Sequence, residues 1–319
     1  MSDSNTQKGP VLSVAIHPRT AGDGEKLLRA MNILVQEDSA IRMEATSAEG
    51  PTVLSGMSEL HLEAICDRLL REFDLQLDIG KPTVIYLETV RKSAEAEGKY
   101  IRQTGGAGNY AHCKLRVEPN EAGKGFEFVN DIKGGVVRKE YIKPIEQGIL
   151  ESLQGGVLAG YEIVDVKVTL FDGSYHDVDS NEMAFQIAGS MAFKEAARKA
   201  TPVLLEPVMT LEITVSEERM GTIIGDIHLR RGRLESIEQA GGSQVIRAFV
   251  PLAELLGYGK DLRGYHSIQF ARYEAAPRRD WLGGDGAGIT ANKPVRPSAG
   301  RGSASVPLLP GGLTEPPRQ

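Results

Sequence analysis

Cysteine is scarce in this sequence: Cys66 and Cys113 are the only two among 319 residues. Two cysteines in a chain this long cannot form the disulfide framework of a secreted scaffold. Aromatic residues are also few, at 6% with one tryptophan. No apolar run approaches the ~20 residues that a membrane helix requires. The opening MSDSNTQKGP lacks the apolar segment of a signal peptide. A cytoplasmic protein with no membrane partner is the expectation. A large excess of positive charge is missing too: the formal net charge is −6. Nucleic-acid binding by bulk charge is therefore excluded, and any RNA contact must be local. No G-x-x-x-x-G-K-[ST] phosphate loop occurs. The single Asn-Lys pair, Asn292–Lys293, runs into Pro294 and is not a guanine-reading motif. The chain offers no nucleotide-binding domain and no cofactor site of its own.

What is present is organised in blocks. The length suggests two or three domains, since single cores rarely grow past ~250 residues. Residues 277–319 hold eight glycines and seven prolines, with six basic residues against three acidic ones. Such a segment buries too little apolar surface to order itself, so 276–319 reads as a disordered tail and 1–9 as a disordered N-terminus. VLSVAI (11–16) reads as a strand, and DGEKLLRAMNILVQED (23–38) places Leu27, Met31 and Leu34 on one helical face. IRMEAT and TVLSGM read as strands. Ser58 is the expected cap of a helix carrying Leu62, Ile65, Leu69 and Phe73, and DLQLDI follows as a strand. This is the βαββαβ order of a ferredoxin-like domain. The order returns near the end: TLEITVS, a short helix in RMGTIIGDIHLRRG, strands on either side of Gly241–Gly242, a second helix in LAELLGYGKDLR, and HSIQFARYE. Between the two lies a glycine-rich block. There Cys113, Leu115 and Val117 alternate with His112, Lys114 and Arg116, and an alanine-rich helix, NEMAFQIAGSMAFKEAARKA, follows.

The stretch FDGSYHDVDSNE (171–182) concentrates chemistry-bearing residues. Asp177, Asp179 and Asn181 match the first ligands of a calcium loop, but Glu182 stands where its glycine should be and Ala188 where its glutamate should be. A transition-metal or hydrolase site at His176, Asp177 and Asp179 would need further ligands that the sequence does not announce. Asp179 with Glu182 three residues on reads as a capping box. Tyr175 and His176 remain, an aromatic and an imidazole on an exposed tip, suited to stacking on and hydrogen bonding nucleobases. TGGAGNY (104–110) is followed by an alternating strand rather than a helix, so it reads as a hairpin tip. HLRRGR (228–233) clusters Arg230, Arg231 and Arg233. These read either as a solvated helix end or as a phosphate patch.

SGMSELHLE (55–63), GKPTVIYLETV (80–90), QTGGAGNYAH, EFVNDIKGGVV (127–137), FDGSYHDVDSNEMAF and LLEPVMTLEITV (204–215) occur in that order. Together they resemble the C-terminal half of bacterial elongation factor G, the translocation GTPase, over roughly residues 10–275. The resemblance implies an α+β fold with ferredoxin-like domains III (10–85) and V (207–275) flanking a ribosomal-protein-like domain IV (86–206), the decoding-site probe. It implies a tip of two loops, with Gly105, Gly106, Gly108, Asn109 and Tyr110 in one, and Ser174, Tyr175, His176 and Asp177 in the other, contacting the tRNA–mRNA duplex. It implies the ribosome as partner, with rRNA as a target and Arg230, Arg231 and Arg233 as a candidate phosphate patch. The family's GTPase domain and domain II have no counterpart here, so GTP enters only through a separate GTPase subunit, if at all. The function that follows is ribosome binding in translation elongation and translocation, with half of a split factor as the alternative and a metal-dependent hydrolase as a distant one. Two departures stand out: Ala107 replaces a frequent arginine in the tip, and DLRGYHSIQF is shorter than the family's turn.

Overall fold

The computed structural model describes residues 9–45, 51–102, 108–258 and 265–276. Strands β1 (Leu12–Pro18), β2 (Arg42–Ala45), β3 (Thr52–Gly56) and β4 (Leu77–Ile79) form an antiparallel sheet in the order β2-β3-β1-β4. Helices α1 (Ala21–Glu37) and α2 (Glu59–Arg71) complete the first βαββαβ unit. Both helices start on side-chain caps. The Thr20 hydroxyl accepts the Asp23 N–H at 3.1 Å. The Ser58 hydroxyl accepts that of His61 at 3.2 Å. Leu27, Met31 and Leu34 of α1 and Leu62, Ile65 and Leu69 of α2 are buried, as their spacing requires.

The middle unit begins after β5 (Thr83–Val84) and β6 (Leu87–Val90). Its sheet runs β7-β8-β10-β9, with β7 (Ala94–Arg102), β8 (Asn109–Pro119), β9 (Phe126–Asn130) and β10 (Val166–Ser174). β9 and β10 are parallel, so α3 (Lys139–Gly155) serves as the crossover that parallel neighbours need. The alternating residues of β8 divide as their chemistry requires: Ala111, Cys113, Leu115 and Val117 are fully buried, and His112, Lys114 and Arg116 face outward. Helix α4 (Glu182–Lys199) covers the buried face through Ala184, Phe185, Ala188, Ala192, Phe193 and Ala196. Its alanines permit very close approach. A Cβ on Gly98 of β7 would stand 2.0 Å from the Ala188 carbonyl oxygen, so only glycine fits there.

The third unit comprises β11 (Pro202–Val215), α5 (Glu217–Leu229), β12 (Arg233–Ala240), β13 (Ser243–Pro251) and β14 (Tyr265–Ala275), in the sheet order β12-β13-β11-β14. Gly241 and Gly242 take φ of 58° and 86° in a two-residue hairpin turn. Such a turn requires positive φ at both positions, which glycine adopts without strain. The helix expected from LAELLGYGKDLR does not form over Leu252–Gly257, and Tyr258, the last described residue before 259, is helical. Leu252–Glu254 makes a single 3-10 turn, followed by i→i+3 bonds up to Tyr258. Gly257 at φ 75° breaks the helical path. Arg230 occupies the Glu254 carbonyl at 2.7 Å, a group that a continuing helix would use itself. Residues 259–264 lie outside the described set.

The three units are fastened at one junction. The apolar cores of the first and third units merge into one cluster, while the middle unit has its own. β6 pairs with the start of β11. From β6, fully buried Glu88 accepts five consecutive backbone N–H groups: Val157 and Leu158 on one carboxylate oxygen, and Ala159, Gly160 and Tyr161 on the other, at 2.7–3.0 Å. A buried carboxylate is tolerated when its lone pairs are met in this way. The loop after α3 is thereby anchored to the strand that joins the body.

Candidate nucleic-acid interface

At one end of the middle unit the β7–β8 hairpin, the end of β10 and the start of α4 converge. Ser180 links two of these segments: its hydroxyl accepts the His176 N–H at 2.9 Å and donates to the Tyr110 carbonyl at 2.8 Å. Asp179 links them again. Its carboxylate accepts the Gly108 N–H at 3.0 Å and its carbonyl accepts the Tyr110 N–H at 2.8 Å. Asn181 adds a third tie, donating from its amide to the Asn109 side chain at 2.6 Å. Gly108, Asn109, Tyr110, Ser174, Tyr175, His176 and Asp177 are thus brought together. Gly105, Gly106 and Ala107 lie outside the described residues.

The capping box expected from Asp179 and Glu182 is not what starts α4. The helix begins at Glu182, and its cap is Asn181, whose side-chain oxygen accepts the Ala184 N–H at 2.9 Å. Asparagine caps about as well as aspartate. Asn181 stands next to the first helical residue, leaving the Asp179 carboxylate to reach across to the other loop. Sequence reading missed this tie, as it missed Ser180, Arg138 and Glu88. The adjacent Asn181–Glu182 pair was the available signal for the cap; the cross-loop bonds had none, since they span about 70 residues.

The tip side chains lie in layers. The His176 ring packs against the Tyr110 ring with centroids 4.1 Å apart. The Arg138 guanidinium, just ahead of α3, stands 4.6 Å from the Tyr175 ring centroid and pairs with Asp177. A cation over an aromatic face is held by the ring's negative π-surface. His176 and Asp177 are exposed, as are Val178 at 85% and Met183 at 70%. Behind the tip, Tyr110 Oη and Ser174 Oγ are 2.8 Å apart, Ser174 Oγ and His112 Nδ1 are 3.1 Å apart, and His112 Nε2 lies 3.2 Å from Glu97.

The three candidate ligands of a hydrolase site have separate partners: His176 has Tyr110, Asp177 has Arg138, and Asp179 has Gly108. Among the described residues no three His, Cys, Asp or Glu side chains gather so as to hold a metal ion. The arginines of HLRRGR are also partnered. Arg231 forms a two-pronged pair with Glu206 at 2.9 and 3.0 Å and reaches Glu254 at 3.1 Å. Arg230 lies 3.8 Å over the Tyr258 ring, and Arg233 bonds Glu274 at 2.6 Å. A phosphate would have to compete with these carboxylates, so the cluster is neither a bare solvated helix end nor an open anion patch.

Protein-family models for elongation factor G match the chain in three successive segments: domain III over residues 9–81, domain IV over 82–201, and the C-terminus over 203–279. The chain belongs to the elongation factor G family. The matched models are non-catalytic domains of the factor; none is its GTPase domain. A crystal structure of a protein from Thermus thermophilus is similar at 39% identity and a TM-score of 0.66, over 85% of this chain and 41% of that one. The chain therefore spans well under half the length of that relative. In elongation factor G terms the first and third sheets belong to domain III and the C-terminal domain, and the tip is the end of domain IV. No described helix is long and apolar enough to cross a membrane.

Proposed function

We propose that this chain binds the ribosome and presents the domain IV tip to RNA at the decoding site, acting in elongation and translocation. The observation that carries this reading is the fastening of the two tip loops by Asp179, Ser180 and Asn181 into one surface that exposes His176, with Tyr175 and Asn109 half-buried beside it. Loops so tied lose little further entropy on binding. Glycines let backbone approach phosphate, and aromatic rings stack on bases or sugars. The negative overall charge makes such contact weak unless other surfaces contribute, so binding falls steeply with salt. Co-sedimentation with ribosomes at low and raised salt tests the reading; a protein that stays in the supernatant at low salt contradicts it.

A second reading rests on the kind of domains matched, domains III, IV and the C-terminus of elongation factor G. Here these domains work together with a GTP-binding subunit. Recovery of such a subunit with this chain from its own cells, and GTP hydrolysis on ribosomes only when both are present, supports it. Hydrolysis unaffected by this chain removes it.

A further inference from the structure

A third segment reaches the tip. Arg138 stands immediately before α3, outside both tip loops, with buried Val137 ahead of it and buried Tyr141 one turn on. Tyr141 is fixed in turn: its ring stacks on Phe185 of α4 at 4.4 Å, and its hydroxyl donates to the Ser180 carbonyl at 3.2 Å. The base of the Arg138 side chain is therefore held to the same frame as the tip. Its guanidinium lies over the Tyr175 ring, 4.6 Å from the centroid, and donates from Nη2 to Asp177. Glu140 stands 3.6 Å from Nη1, beyond hydrogen-bond reach. The planar fork has five N–H donors and gives one of them to a carboxylate oxygen. The pair is open to solvent: the Arg138 side chain is 41% exposed and that of Asp177 76%. Arg138 differs in this from Arg231, which is clamped by two prongs to Glu206, a carboxylate only 6% exposed.

We infer that Arg138 is the phosphate-binding group of the tip, with the Asp177 carboxylate as a placeholder that an RNA phosphodiester displaces. An exposed ion pair contributes little, so it exchanges readily for a better anion. A phosphodiester offers two oxygens to parallel donors of the fork, where Asp177 takes one donor. Tyr175 keeps the guanidinium in place through the exchange, because a cation over a ring is held without using its N–H donors. The placeholder also keeps the long side chain ordered in the free protein, so less freedom is lost on binding. That the anion is an RNA phosphodiester rests on the RNA-contact reading above; the exchangeable anion site at Arg138 does not.

The test has two arms. In the free protein, the arginine Nε–H signals are followed by NMR during titration with inorganic phosphate, with Arg138 assigned by its loss in Arg138→Gln. The Arg138 signal should shift to saturation, and in Asp177→Asn it should do so at about threefold less phosphate, the worth of an exposed ion pair. A signal that phosphate does not move, or an unchanged midpoint in Asp177→Asn, overturns the inference. In the second arm, affinity for small ribosomal subunits is measured across a range of salt. Arg138→Gln should bind about tenfold more weakly at low salt, the worth of a charge-assisted contact. Its slope of log affinity against log salt should fall in magnitude by about one, since one phosphate contact is gone. Arg138→Lys, which keeps the charge, should keep the parent's slope, and Asp177→Asn should bind about threefold more tightly than the parent. An unchanged slope in Arg138→Gln makes Arg138 a support of the tip's shape alone and overturns the inference, as does binding by Asp177→Asn no tighter than the parent's. Absence of binding by the parent at every salt overturns the RNA-contact reading instead, and the phosphate titration then decides the role of Arg138.

Discussion

The Asp179 carboxylate accepts the Gly108 N–H at 3.0 Å, joining two loops that lie 71 residues apart in sequence. The same residue accepts the Tyr110 N–H through its carbonyl. One aspartate thereby fixes the first described residues of the glycine loop against the entry to α4. Asp179→Ala should cost about 1–2 kcal/mol, the loss of one charge-assisted bond at a partly exposed site. Hydrogen exchange should locate the effect at the Gly108 amide, which should exchange roughly tenfold or more faster, with helix content unchanged.

Asn181→Ala should act first on the helix, while also releasing the tie to Asn109. Its side chain caps α4, so its loss should weaken the helix by about 1 kcal/mol. The first-turn amide of Ala184 should exchange faster while Gly108 stays protected. If Asp179→Ala frays the helix and Asn181→Ala does not, the assignment of the cap is reversed.

Glu88 anchors the loop that follows α3. Glu88→Gln places an N–H2 among five backbone donors that need acceptors. Two or more buried N–H groups then lack partners, at about 1–3 kcal/mol each. Denaturant unfolding should show a loss of at least ~2 kcal/mol on that basis, with exchange rising first in residues 157–161. A variant within about 1 kcal/mol of the parent, the worth of a single ordinary hydrogen bond, contradicts the anchoring role.

Both thiols are buried. Burial raises the Cys113 thiol to about 12 and the Cys66 thiol to about 11, from an ordinary value of 9.0. Folded values above unfolded ones mean that the unfolded chain binds fewer protons once the pH passes 9. Stability should be unaffected by these groups below pH 9 and should fall between pH 9 and 12. At pH 8 a thiol reagent should label neither cysteine until the chain unfolds. Rapid labelling of the native protein contradicts this.

Local patterns made much of the fold legible. The spacing of Leu62, Ile65 and Leu69, the alternation around Cys113, and the glycine pair 241–242 each state an element in a few residues. The helix expected from LAELLGYGKDLR does not begin at its first residues, because a tertiary contact, Arg230 on the Glu254 carbonyl, and the positive φ of Gly257 outweigh the apolar spacing of residues 252–257. The tip was legible as two separate loops. What joins them was not, because Asp179 and Ser180 look like ordinary cap and turn residues until a partner about 70 positions away is placed beside them. The partners of the arginine cluster were hidden for a similar reason: Glu206, Glu254 and Glu274, which pair with it, lie more than 20 positions away in sequence.

The central claim is that this tip touches RNA on the ribosome. The most direct measurement is the affinity of the full chain for 70S ribosomes at low salt, set beside that of the double variant Tyr175→Ala, His176→Ala. Stacking is worth about 1–3 kcal/mol per base, so the variant should bind about tenfold or more weakly while retaining the parent's fold. Binding equal to that of the parent, or no binding by either protein, contradicts the account.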